Sequence, residues 1–347
     1  MRINAKLKIK NATVKIRSAL FVFLFAFLIF NFALPVRAQD EPPPPPPIAE
    51  QKGDEVETIR VDTELVDLNV SVFSRDPGRP IGELQQKDFA VLENGVPEEI
   101  SYFASAATPF DLVLLLDLSG STADKLDLIR KSAIRFVEAA RPTDRIGIVT
   151  FTDLPFVVSP PMTDRKFLIE RIKKIEKPSG GTNFWDSLRF VLKNIFRAKD
   201  LSRRQAVIVM SDGVDNALPD VPGPGSDISY EQLLEMVKTS DAIVIPIYLD
   251  TEREMIKQKR ATENSYALAR EQLRELAGES GSLLYHARKV EDLHGVYEQV
   301  IRDLGMVYSL GYQPKQKSRD GSWRSVSVRL VNRPELSARS KRGYYAR

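Results

Sequence analysis

Leu112-Val113-Leu114-Leu115-Leu116-Asp117-Leu118-Ser119-Gly120-Ser121 is the stretch on which the fold turns. Five apolar residues in a row, without alternation, mark a strand covered on both faces, as in a parallel sheet flanked by helices. The run stops at a carboxylate and passes into a short loop of hydroxyls and glycine. Beyond it, Leu126, Ile129, Ala133, Phe136, Val137 and Ala140 recur at helical spacing. Residues 146–151 read as a second strand, and Leu168, Ile172 and Ile175 mark a second helix. Leu188, Val191, Leu192 and Ile195 mark a third helix, ahead of a buried strand at 206–210. A helix at 233–237, a strand at 243–249, a helix at 273–277 and a short strand at 283–285 follow. Val290, Leu293, Val296, Tyr297, Val300, Ile301 and Leu304 close the series as an amphipathic helix. Strand and helix alternating over residues 109–305 predict an α/β body, a doubly wound and mainly parallel sheet with helices on both sides.

The flanks have a different period. In residues 57–108, Val66, Leu68, Val70 and Val72 alternate with Asp67, Asn69 and Ser71, as in a strand with one buried face. The apolar runs 89–92 and 100–103 flank Glu93-Asn94-Gly95, and Asn-Gly between apolar runs predicts a hairpin because both residues tolerate positive φ. In residues 306–347, Met306, Tyr308, Leu310 and Tyr312 alternate, as do Val326, Val328 and Leu330, with a turn at Asp320-Gly321. The two flanks are expected to meet as one accessory antiparallel β unit, with the α/β body inserted between them.

Residues 1–38 read as an export signal. Basic residues precede the 16-residue apolar run 19–34, and Val36-Arg37-Ala38 presents a cleavage site after Ala38. The run is short of the roughly 20 residues that span a bilayer comfortably. If uncleaved, it would serve as a membrane tether. Residues 39–56 contain six consecutive prolines, 42–47, and read as a polyproline spacer. The expected location is therefore periplasmic, cell-surface or secreted, with no cysteine to form disulfides. The formal charge of +3 comes from the signal: seven of the 50 basic residues and none of the 47 acidic ones fall in the first 38 positions. The remainder is slightly acidic, which argues against a nucleic-acid-binding face.

In doubly wound domains, sites form beyond the C-terminal ends of the strands. Three such loops here are rich in oxygen: 117–121, then Gly180-Gly181-Thr182-Asn183, then Ser211-Asp212-Gly213. Carboxylates and hydroxyls without His or Cys suit a hard cation, Mg²⁺ or else Ca²⁺ or Mn²⁺. Asp117, Ser119 and Ser121 are alternate residues that a strand-to-helix turn can aim at one point. The blander reading of that loop is helix capping by Ser121 or Thr122. Asp153 and Asp215 stand where they could support the ligands from behind, or simply occupy solvated turns. Residues 217–229 and 251–269 read as insertions on the same face, where loops are free to recognise partners. Phe184 and Trp185 read as core, and Arg203-Arg204 as a solvated start to a strand.

Asp117, Ser119, Ser121, Thr182 and Asp212 together resemble the metal-ion-dependent adhesion site of von Willebrand factor A domains, over roughly residues 110–305. That resemblance implies a flanked, mainly parallel sheet with one short antiparallel edge. It also implies that the serines and threonine bind the metal directly or through water. Pro80-Ile81-Gly82-Glu83-Leu84, Lys87-Asp88-Phe89, Val91-Leu92-Glu93-Asn94-Gly95-Val96-Pro97 and Gly343-Tyr344-Tyr345 resemble the exported von Willebrand factor A-related proteins of Acidobacteria, a group without a defined activity.

The expected function is a non-enzymatic adhesion or interaction module. Its cation would accept a carboxylate from a protein or matrix ligand. A metal-assisted hydrolase would need a general base, for which Asp153 and Asp215 are the candidates. A structural part of an envelope assembly, docking through the β unit, is the third reading.

Overall fold

The computed structural model describes residues 65–76, 81–122, 125–176, 180–196, 200 and 202–346. The expected signal and spacer lie outside these residues, as does Pro80. The chain begins with β1 (Val66–Ser74), β2 (Phe89–Glu93), β3 (Val96–Glu98) and β4 (Ile100–Ala104). It then enters the α/β body through β5 (Phe110–Asp117), α1 (Leu126–Ala139), β6 (Arg145–Phe151), β7 (Pro155–Met162) and α2 (Arg165–Lys173). Next come α3 (Phe184–Phe190), with a wider turn at Val191–Ile195, then β8 (Arg204–Ser211), α4 (Tyr230–Thr239) and β9 (Ile243–Leu249). The body ends with α5 (Glu252–Lys257), α6 (Glu263–Ser280), β10 (Tyr285–Ala287) and α7 (Leu293–Leu304). β11 (Val307–Tyr312), β12 (Trp323–Leu330), β13 (Leu336–Arg339) and β14 (Gly343–Tyr345) complete the chain.

The body is a six-stranded sheet in the order β10-β9-β8-β5-β6-β7, parallel except for β7. β5 lies near the middle, and its alternate residues serve two separate cores. Leu112, Leu114 and Leu116 pack with Ile129 and Phe136 of α1 and Tyr297 of α7. Val113 and Leu115 pack with Phe184, Trp185, Leu233 and Leu273 on the other face. That double burial explains why the strand is apolar throughout. β7 escaped the sequence reading because Pro155, Pro160 and Pro161 interrupt it. Proline is tolerated there because β7 is an edge strand with one free side. The short strand expected at 283–285 is two residues further on, at β10.

The flanks combine as anticipated. β1 pairs with β11, placing Val66 opposite Tyr312, and β2 pairs with β12, placing Val91 opposite Val328. The result is two four-stranded sheets, β13-β1-β11-β4 and β14-β12-β2-β3. Leu68, Val70, Val91, Tyr308, Leu310 and Val326 are buried among them.

Two local expectations need correction. Asn94 and Gly95 do take positive φ, 48° and 81°, but the hairpin partner of β2 is β3. The run 100–103 crosses to the other sheet as β4, beside β11. Arg203 and Arg204 are also not a solvated pair. Arg203 binds Asp111 at 2.6 Å. Arg204 is 3% exposed and donates to Ser309 Oγ at 2.9 Å and to the carbonyls of Ala104, Ser105 and Thr108. The β13-β1-β11-β4 sheet covers this end of β8, so the guanidinium trades water for backbone acceptors and ties that sheet to the body.

Candidate metal centre

Because β5, β6, β8 and β9 run parallel, their C-terminal ends share one edge, and Asp117, Ser211 and the start of the 212–215 loop arrive there together. The edge is knitted by backbone bonds: Leu118 N–H donates to the Phe151 carbonyl at 3.0 Å, and Asn216 N–H to the Thr182 carbonyl at 2.9 Å. Asp117 is fully buried, and Ser119, Thr182 and Asp212 are buried as well. Ser119 N–H donates to Asp117 Oδ1 at 2.9 Å, and Ser211 Oγ–H to Oδ2 at 2.5 Å. Asp212 Oδ1 accepts from Val214 N–H at 3.1 Å, and Oδ2 from Thr251 Oγ1–H at 2.6 Å. Ser119 Oγ and Ser121 Oγ are 3.3 Å apart, and Ser121 also bonds to Asp212. Ser121, Thr182 and Asp212 line a cleft of about 340 Å³.

The capping alternative does not describe these hydroxyls. α1 begins after Lys125 without a side-chain cap. Thr122 Oγ1–H donates backwards, to the carbonyls of Asp117 and Ser119, and so tightens the loop itself.

Two carboxylates share the site, and each bears on the other's charge. Burial first, and then the Asp212 charge, push the Asp117 carboxyl up to about 7. Burial also raises Asp212, against the hydrogen bonds from Thr251 and Ser121. Every donor is oxygen, and among the described residues no group of three or more His, Cys, Asp or Glu forms a metal site. Two carboxylates with three hydroxyls fit a hard divalent cation, which asks for about six oxygens. The set leaves room for an outside ligand.

Asp153 and Asp215 act on the loops. Asp153 Oδ1 accepts from Gly181 N–H at 2.7 Å. Asp215 is fully buried and accepts from Trp185 N–H, Ala217 N–H and both N–H and Oγ–H of Ser226. The two acids thereby fix the Thr182 loop against β6 and against the 217–226 segment. The contact is close: a Cβ on Gly181 would strike the Asn216 amide and lie 2.8 Å from Asp153 Oδ1. Gly181→Ala should therefore cost about 1–3 kcal/mol, read in urea unfolding. A variant as stable as the wild type would mean the loops do not pack this way.

Both insertions reach the cleft, through Val221 and Pro222 from one and Met255, Arg260, Ala261 and Tyr266 from the other. Thr251 and Tyr266 were not foreseen as participants, and Ser211 was expected only as part of the 211–213 loop, not as the partner of Asp117. Tyr266 OH lies 2.9 Å from Thr251 Oγ1, so a chain of hydroxyls backs Asp212. The strand-end rule that found Asp117 would also have found Thr251, which follows the end of β9.

Comparison with known proteins agrees with this architecture. Residues 112–214 match the family model of the von Willebrand factor type A domain. Two curated relatives, UPF0353 proteins of Nocardia farcinica and Mycolicibacterium paratuberculosis, are each 22% identical, over 58% and 56% of this chain. The match spans 63% and 61% of those relatives' own length. Among solved structures, an aerotolerance-related membrane protein from Bacteroides fragilis is 13% identical, with a TM-score of 0.40, over 56% of this chain and 98% of that one. The von Willebrand factor domain of the type V pili tip protein Mfa5 from Porphyromonas gingivalis is 15% identical, with a TM-score of 0.44, over 57% and 96%. No helix among the described residues is long and apolar enough to cross a membrane.

Proposed function

We propose that this chain is an exported, non-enzymatic interaction module. In this reading Asp117, Ser119, Ser121, Thr182 and Asp212 hold one divalent cation, Mg²⁺ or else Ca²⁺ or Mn²⁺. When bound, the cation supplies a directional anchor for a carboxylate of a protein or matrix partner. The observation that carries the reading is the pair of buried, mutually repelling carboxylates ringed by hydroxyls at an open cleft. Burying two like charges is costly unless something compensates them, and a cation does so while drawing on the side-chain oxygens of these five residues. The export half of the reading rests on the N-terminal basic and apolar pattern.

Binding is favoured over hydrolysis by how the nearby acids are used. Asp153 and Asp215, the candidate bases, are engaged by backbone N–H groups and by Ser226.

The test is thermal melting of the metal-stripped protein across pH, with and without Mg²⁺. The folded-state pKa of Asp117 is raised, so the stability it contributes is full below the unfolded value of 3.8 and is lost as pH rises through about 7. Without metal, Tm should fall over that interval. With Mg²⁺ the loss should be offset, and the Mg²⁺ shift should grow as pH rises. Identical melting curves with Mg²⁺ and with a chelator above that interval would sink the proposal.

A further inference from the structure

Among the residues lining the cleft, Arg260 is the single basic one. Its guanidinium is exposed and forms no hydrogen bond or ion pair with other described residues. It lies over the middle of the ligand loop, with Nη1 2.9 Å from where a Cβ on Gly120 would sit. The neighbouring cation, Lys125, is already committed: it donates to the Ser121 carbonyl at 3.2 Å and pairs with Glu254 at 3.1 Å.

The backbone holds Arg260 there. After α5, Lys259 takes a left-handed φ of 57°, and Arg260 N–H donates to the Met255 carbonyl at 3.0 Å. Thr262 then caps α6, accepting from Ser265 N–H at 3.1 Å. A non-glycine residue in that region is strained, and here it turns the chain back over the loop. Beside the guanidinium, Val221, Met255 and Ala261 give the cleft an apolar wall.

We infer that Arg260 is the specificity-determining residue of this cleft, pairing with the carboxylate of an acidic side chain whose aliphatic stem lies against the Val221–Met255 wall. The inference rests on the cation reading above and deepens it. A planar guanidinium offers a carboxylate two parallel N–H donors, which a neutral amide cannot match in charge. The cleft should therefore select acidic side chains over their amides.

Glutarate is a suitable probe, since it is the carbon skeleton of glutamate without the amine and presents a carboxylate on an aliphatic stem, with glutaramide as its neutral counterpart. In the full chain with saturating Mg²⁺, glutarate should raise Tm beyond the Mg²⁺ shift, and glutaramide at matched ionic strength should not. Arg260→Gln should weaken the apparent glutarate affinity about tenfold or more and leave the Mg²⁺ shift intact. Arg260→Lys should recover part of the loss, because it keeps the charge without the fork. Unchanged glutarate affinity in Arg260→Gln, or no glutarate effect in a wild type that responds to Mg²⁺, would overturn the inference alone. Loss of the Mg²⁺ shift in Arg260→Gln would also overturn it, by making the residue a support for the centre. A wild type without any Mg²⁺ shift would remove the cation reading itself.

Discussion

Glu93→Ala should destabilise the protein by about 3–5 kcal/mol, the cost of leaving one partner of a buried ion pair without the other. Glu93 and Arg324 are 3% and 2% exposed and meet at 3.1 Å. The same carboxylate accepts from Tyr312 OH at 2.7 Å and Tyr344 OH at 2.8 Å. Arg324 also donates to the carbonyls of Gln316 and Ser318. Glu93 belongs to the N-terminal flank and all three of its partners to the C-terminal one, so this network closes the sandwich around the inserted body. Truncation would strand a charged guanidinium and two phenols. Glu93→Gln should cost less, since it can still accept from the tyrosines. Replacing Glu93 and Arg324 together by Met should recover part of the loss, because no unpaired charge is left. Urea unfolding of the three variants measures this, and a Glu93→Ala change below about 1 kcal/mol would be at odds with a closed sandwich.

The second large effect is expected at Asp117, and its sign depends on the metal. Removing one of two buried like charges relieves repulsion, so Asp117→Asn without metal should be at least as stable as the wild type above pH about 7. Burial and the Asp212 charge raise the Asp117 carboxyl from 3.8 to about 7, so its ionisation in the folded protein costs stability that the amide does not lose. With Mg²⁺ the order should reverse. A cation at a hundred times its Kd stabilises the wild type by about 2.7 kcal/mol, and Asp117→Asn should gain almost none of that. Melting of both proteins with and without Mg²⁺ reads the crossover. Equal Mg²⁺ gains would remove Asp117 from the site.

The central sheet was legible because burial on both faces leaves a plain mark: 112–116 and 206–210 are apolar without a break, and 243–249 is interrupted only by Pro246. β7 was not, since an edge strand with one free side tolerates prolines that otherwise signal a loop. Arg203 and Arg204 misled for the opposite reason. Charge normally marks solvent, but these guanidinium groups face carbonyls and a carboxylate supplied from far away in the chain. At the site, the 117–121 and 211–213 loops could be placed at one strand edge because parallel topology brings them together, whereas the Thr182 loop joins two helices and is held at that edge by the Asn183–Thr152 and Asn216–Thr182 backbone bonds. The roles of Asp153 and Asp215 could not be read, because they depend on which backbone N–H groups the folded loops present. Arg260 was equally hidden, as its position depends on the left-handed turn at Lys259.

The most direct measurement is the stoichiometry and affinity of Mn²⁺ binding to the metal-stripped full chain, above pH about 7, where the Asp117 carboxyl is free to ionise. The account predicts one Mn²⁺ per wild-type chain, displaced by excess Mg²⁺, and none in the Asp117→Ala, Asp212→Ala double variant with its fold retained. No binding to the wild type, or the same binding in the double variant, would contradict it.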